Sequence, residues 1–88
     1  MKQVIINGAA VASMADIHHL LAAELDFPEW YGHNLDALHD CLTEIGKETE
    51  ILLLQPETLL ATLGNGYARL YRVLADSAEE NPYLTIRF

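Results

Sequence analysis

Basic residues are scarce in this sequence: five Lys and Arg stand against thirteen Asp and Glu over 88 residues, a formal net charge of −8. Gripping nucleic acid through its phosphates needs a cationic footprint, so that class of function is excluded. Cysteine is nearly absent. Cys41 alone cannot build an internal disulfide framework, which fits a reducing, cytoplasmic setting. Long apolar runs are missing as well. Ile51 to Leu54 is among the longest, far short of the ~20 residues that cross a bilayer, so no membrane partner is expected. The opening residues mix Lys2 with polar Gln3 and Asn7, unlike the apolar stretch of a secretory leader. No repeat, low-complexity stretch or linker divides the chain. What remains is ample: 51% of the residues are hydrophobic, enough to fold despite the charge. The expectation is one acidic domain over residues 1–88 with a small core, burying about 64% of its unfolded surface.

The acids are unevenly placed. Glu24, Asp26, Glu29, Asp36, Asp40, Glu44, Glu48 and Glu50 crowd one stretch in which Lys47 is the only base. Such a field keeps a small domain soluble, and it also steers cationic partners. Charge alone does not choose between these roles.

Hydrophobic spacing outlines the elements. Gln3-Val4-Ile5-Ile6, ending at Asn7-Gly8, reads as a strand. Ser13 and Asp16 have the form of a capping box, opening a helix over about 14–25 with Met14, Ile17, Leu20, Leu21 and Leu25 inward. His18 and His19 are placed at its surface or boundary. Pro28 ends the pattern, and 27–33 reads as a loop. Asn34 can cap a second helix, with Ala37, Leu38, Cys41, Leu42 and Ile45 on one arc. Asp36, His39, Asp40, Thr43, Glu44 and Lys47 fill the other. Glu50 to Leu54 is nearly continuously apolar, the pattern of a strand covered on both faces. Pro56 starts a short helix to about Leu63, and Gly64-Asn65-Gly66 breaks the chain. Tyr67, Leu70, Tyr71, Leu74 and Ala78 make the stripe of a fourth helix, stopped by Asn81-Pro82. Tyr83 to Phe88 holds a third strand, centred on Leu84–Arg87. Helical crossovers between strands predict an α/β fold: a three-stranded parallel sheet packed with about four helices.

Few residues invite chemistry. Asp36 and Asp40 sit one helical turn apart, about 40° around the axis and ~6 Å along it. Like charges so placed destabilise an isolated helix. As an acid–base pair they would need an enclosure that drives their proton affinities apart, which a short surface helix does not supply. A metal could draw on them with His33 or His39, but no metal-ligand spacing is present and no cofactor is called for. No nucleophile-elbow or phosphate-loop motif occurs, and Cys41 lies on the apolar arc as an inert thiol. The chain therefore reads as a binder rather than an enzyme. Trp30 and Tyr31 are adjacent in the loop. Either one anchors while the other faces out beside the acids, as in an interface hot region, or both pack beneath the loop. Val73 falls outside the fourth helix's stripe and could extend a contact patch. Arg72 and Asp76, four apart, could simply pair at the surface.

The stretch from Leu25 to Thr43 is distinctive, above all Pro28-Glu29-Trp30-Tyr31-Gly32, Asn34-Leu35-Asp36-Ala37-Leu38 and Asp40. With the opening Val-Ile-Ile-Asn-Gly and the Asn-Gly before the fourth helix, it resembles the barstar family, intracellular inhibitors of the secreted ribonuclease barnase. The resemblance covers nearly the whole chain. It implies a parallel three-stranded sheet with helices, and one-to-one blockage of a basic, barnase-like ribonuclease by the second helix and its preceding loop. Asp40 would then take the place of a substrate phosphate, with Asp36 meeting bases at the cleft. Trp30 would lie near the catalytic histidine, and Tyr31, Gly32, Asn34, Leu35, His39 and Thr43 would belong to the same contact region. Val73 and Asp76 match family contact positions on the last helix, while Glu79 and Glu80 would serve as remote controls. The chain departs from the pattern where His39 replaces a tryptophan, Trp30 a tyrosine and Asp76 a glutamate. Proline is absent between Glu44 and Glu50, and Pro82 takes the place of a cysteine. His39 also puts a titratable group on the face, whose protonation near pH 6–7 would reduce its negative charge. An interaction module for a basic partner that is not a ribonuclease, or an immunity protein against a toxin, is the alternative.

Overall fold

A computed structural model describes residues 1–87. The chain runs β1 (Lys2–Asn7), α1 (Met14–Glu24), α2 (Leu35–Thr43), β2 (Thr49–Leu54), α3 (Pro56–Leu63), α4 (Asn65–Glu80) and β3 (Leu84–Arg87). The strands form one parallel sheet in the order β1-β2-β3, with Val4 opposite Ile51 and Ile51 opposite Ile86. This is the expected α/β architecture. Phe88, assigned to the third strand from sequence, lies outside the described residues. No helix among the described residues is long and apolar enough to cross a membrane.

Both crossovers step the same way across the sheet, which puts their helices on one face. Val4, Ile6, Ile51, Leu53 and Leu84 point to that face and are buried with Ile17, Leu21, Leu38, Leu42, Leu59, Leu70 and Leu74. The expectation that β2 is covered on both sides is corrected here. On the opposite face Ile5 and Leu54 are exposed, and only Glu50 is buried. Gln3 Nε2 donates to Glu50 Oε1 at 2.7 Å, and Arg87 Nη1 donates to Oε2 at 3.3 Å. The Gln3 hydrogen bond, aided by Arg87, holds this carboxyl below its usual range against the opposing effect of burial. A polar clasp across three strands therefore does the work expected of a second helical layer.

Helix ends follow local chemistry. Ser13 Oγ accepts from Asp16 N–H at 3.4 Å, and Asp16 Oδ2 accepts from Ala12 N–H at 2.8 Å, one residue earlier than a full capping box would reach. The break between α3 and α4 is confined to Gly64, at φ 56° and ψ −128°, a backbone region reserved for glycine. Asn65 and Gly66 already belong to α4. Its buried stripe is Leu70, Leu74 and Ser77, whereas Tyr71, expected in the core, is exposed. The helical pattern extended to Ile45 on the apolar arc and Lys47 on the polar one, yet α2 stops at Thr43. There Asn81 Nδ2 donates to the carbonyls of Leu42 and Ile45, both at 2.9 Å, and Asn81 Oδ1 accepts from Tyr83 N–H at 3.0 Å. One buried amide thus ends α2, follows α4 and starts the turn into β3.

Asn81→Ala should lower unfolding free energy by about 1–3 kcal/mol in urea titrations, because buried carbonyls lose their donors. Ser77 Oγ is buried without a partner. Ser77→Ala should leave stability unchanged or raise it by up to about 1 kcal/mol in the same assay.

Candidate functional site

The loop before α2 begins with a tight closure of α1. Asp26 adopts a left-handed conformation (φ 55°), and Phe27 N–H reaches back to the Ala22 carbonyl at 3.0 Å, a Schellman arrangement. Pro28 follows, and its carbonyl accepts from Tyr31 N–H at 2.9 Å. That turn drives Tyr31 into the core, where it is 5% exposed. Its ring centroid lies 5.0 Å from that of Phe27 and 5.1 Å from that of His33. Its hydroxyl shares a hydrogen bond with His18 Nδ1 at 2.5 Å. Burial, followed by the nearby Cys41, pushes the Tyr31 phenol up to about 12, so it remains a donor. Burial, followed by His33 and His19, holds His18 below its ordinary value of 6.5, so the neutral ring is favoured. The sequence had placed His18 at the surface or boundary. It is buried because residues 14, 17, 18 and 21 share one helical face.

With Tyr31 inside, Trp30 stands outside at 80% exposure. This is the first of the two arrangements that the adjacent aromatics allow. A Cβ on Gly32 would meet Asn34 Nδ2 at 3.0 Å, close enough that the capping amide would have to shift. Asn34 Nδ2 donates to the Gly32 carbonyl at 3.3 Å, and Asn34 Oδ1 accepts from Ala37 N–H at 2.8 Å. One side chain therefore caps α2 and ties the loop to it. His33, between them, is held in the left-handed region at φ 51°.

On α2, Leu35 is half-buried, Asp36 lies in the exposed first turn, and the Asp40 side chain is 81% exposed. Asp36 there interacts favourably with the helix dipole. It also shares a hollow of about 360 Å³ with Asn34, His18 and Arg69, a cation that sequence spacing does not bring near it. Asp40 borders a second hollow of about 220 Å³ with Trp30, Thr43 and Glu44. Thr43 Oγ1 donates to the His39 carbonyl at 2.9 Å and contacts the Asp40 carbonyl at 3.1 Å, so the hydroxyl is turned onto its own helix. Cys41 is half-buried, and burial ahead of Glu44 and Asp40 raises its thiol.

The last helix joins this face. Val73 is half-buried against the core rather than standing apart from it. Asp76 lies 3.9 Å from Arg72, a long and exposed pairing worth little. Glu80, taken from sequence as remote, bonds His39 Nε2 at 2.5 Å, while His39 Nδ1 lies 3.9 Å from Asp40. That hydrogen bond first, then Glu80, Asp40 and Asp76 electrostatically, hold the His39 imidazole above its ordinary value. Nothing in the spacing of two separate helices announces this contact. Trp30, Asp40 and Thr43 meet around one hollow, and His39, Asp40, Asp76 and Glu80 form one electrostatic cluster. Tyr31 lies beneath the loop as its anchor, and Asp36 faces the hollow toward the start of α4.

Comparison with known proteins bears on this arrangement. The sequence model of one family, Barstar (barnase inhibitor), matches residues 1–86. A protein of Bacillus subtilis (strain 168) named "Putative ribonuclease inhibitor YrdF" is 49% identical over 43 residues. That match covers 49% of this chain and 47% of the relative, so it spans about half the length of each.

His18 gives the anchor a pH signature. Its proton is disfavoured in the folded state, so it adds nothing to stability well above pH 6.5 and destabilises the fold as pH falls below that value. His18→Gln keeps an acceptor for Tyr31 and should flatten the stability profile between about pH 7 and pH 5. The difference in slope should not exceed about 1.4 kcal/mol per pH unit, the limit for one proton, as read by urea unfolding at each pH.

Proposed function

The chain belongs to the barstar family, and from that premise we propose that it is a proteinaceous inhibitor of a basic, barnase-like ribonuclease. It binds one-to-one and seats the Trp30 loop and the acidic side of α2 in the active-site cleft. The observation that carries this reading is the pairing of an outward Trp30 with a strongly exposed Asp40 around one hollow. A ribonuclease cleft is cationic because it binds phosphates. A preorganised carboxylate competes for the same charges, and an exposed indole supplies apolar area at low entropic cost.

In this reading residues 1–88 act as one domain and turn over no substrate. Asp40 is the central anion, and Asp36 and Asp76 widen the field that guides encounter. Gly32, Asn34, Leu35, Thr43 and Val73 shape the contact. Tyr31 acts by holding Trp30 outward. The naming of the Bacillus relative as a ribonuclease inhibitor supports this choice of partner. The free thiol of Cys41 and the lack of a disulfide framework fit work in the cytoplasm, where such an inhibitor gives immunity to a ribonuclease.

Asp40→Ala should weaken inhibition of a small basic bacterial ribonuclease by at least about 2 kcal/mol, roughly thirtyfold. Glu57→Ala, in the first turn of α3 and outside the contact residues named above, should change it by less than about 0.5 kcal/mol. Equal losses in a titrated inhibition assay would refute the site. Trp30→Ala should weaken inhibition while leaving the urea midpoint unchanged, since the ring is exposed. Raising salt should chiefly slow association in stopped-flow measurements.

A further inference from the structure

His39 lies where α2 meets the end of α4, with one ring nitrogen on each side of a divided set of carboxylates. Nε2 bonds Glu80 of α4 at 2.5 Å, and Nδ1 lies 3.9 Å from Asp40 of its own helix. The charged groups acting on it are Glu80 and Asp76 from α4 and Asp40 from α2. Asp76 is itself 3.9 Å from Arg72. The imidazole therefore sits among three carboxylates that favour its protonated form, and its side chain is 33% exposed, open to an approaching partner.

We propose that His39 is a specificity residue that couples docking to proton release: it gives up its proton when a cationic surface seats on α2, so binding tightens as pH rises. This rests on the inhibitor reading above. The physical reason is linkage. In the free chain, three carboxylates stabilise the imidazolium. A basic partner turns those same carboxylates toward its own cations and brings positive charge close to the ring. Both changes oppose the proton. The protonated ring also holds Glu80 in a charge-assisted hydrogen bond. Loss of the proton weakens that hold and frees Glu80 as a further anion for the partner. His39 thereby sets how many carboxylates the face offers at a given pH, which selects among partners by the number of cations in their clefts.

The test compares inhibition of a small basic bacterial ribonuclease by the wild-type chain and His39→Gln between about pH 5.5 and about pH 8. The ribonuclease's own titrating groups act on both chains and cancel in the ratio. The wild-type chain should gain about fivefold more affinity across the range than the variant. In buffers of different ionisation enthalpy, calorimetry should detect proton release on binding for the wild type and less for the variant. Glu80→Gln should move the NMR titration of the free His39 ring to lower pH. Superimposable pH profiles for wild type and His39→Gln would overturn the inference and leave the inhibitor reading standing. An unmoved His39 titration in Glu80→Gln would overturn the proposed hold of the ring on Glu80, and the inference with it. Absence of inhibition by the wild-type chain at every pH would overturn the inhibitor reading, and this inference with it.

Discussion

The buried hydrogen bond between Tyr31 and His18 is the constraint on which the exposed face depends. Of the two neighbouring aromatics in this loop, one turns inward and the other outward. Sinking Tyr31 into the space between α1 and α2 commits Trp30 to solvent. The bond itself is demanding, because both polar atoms are removed from water and each needs the other. Burial resolves the protonation of both partners in the compatible direction, phenol protonated and imidazole neutral. An apolar anchor would bury comparable area without specifying which neighbour points out.

The chain treats its carboxylates in two opposite ways. Glu50 is buried on the open side of the sheet and satisfied by Gln3 and Arg87, so its charge is absorbed into the fold. Asp40 projects from α2 at 81% exposure, with the His39 ring 3.9 Å away and no hydrogen bond of that kind. Concentrating anions on α2 and the end of α4 creates repulsion that the rest of the structure must resist. Asn81 does so mechanically, fastening the last carbonyls of α2 to the turn after α4. Thr43 does so locally, turning its hydroxyl onto the helix rather than into the hollow. Rigidity of this kind allows the charges to be in place before a partner arrives, which limits the ordering cost of association.

Element type and order were legible in the sequence because period and punctuation agree: β-branched runs, helical stripes, Asn34 and Ser13 as caps, and Pro56 at a helix start. The α3 boundaries were read directly, and Trp30 out with Tyr31 in was one of two open arrangements. What escaped depends on contacts between distant elements. Glu50 looked like part of a strand buried on both faces, since Gln3 and Arg87 lie 47 and 37 residues away. The end of α2 at Thr43 was hidden because its cap, Asn81, belongs to another element. Tyr71 fitted the helical stripe by spacing but falls outside the arc that α2 and the sheet cover. Glu80 was misjudged for the same reason: its partner lies 41 residues earlier. His18 was the avoidable miss, for its spacing with Ile17 and Leu21 already placed it on the inward side.

The two bonded histidines divide the response to pH between fold and face. His18 is buried, and its proton is disfavoured on folding, so acid acts through it on the anchor. His39 has the opposite sign. Its folded value is raised, so its contribution to stability is complete below pH 6.5 and fades as pH climbs through that raised value. Because His39 is solvent-accessible, that contribution is small, and its proton matters mainly as a charge on the surface. Below neutrality the anchor under Trp30 loosens while the face is least negative. Toward alkaline pH the anchor is intact and the face most negative. Both effects therefore favour the same state of the loop and helix, an outward indole beside a full set of carboxylates, although they arise from groups of opposite linkage.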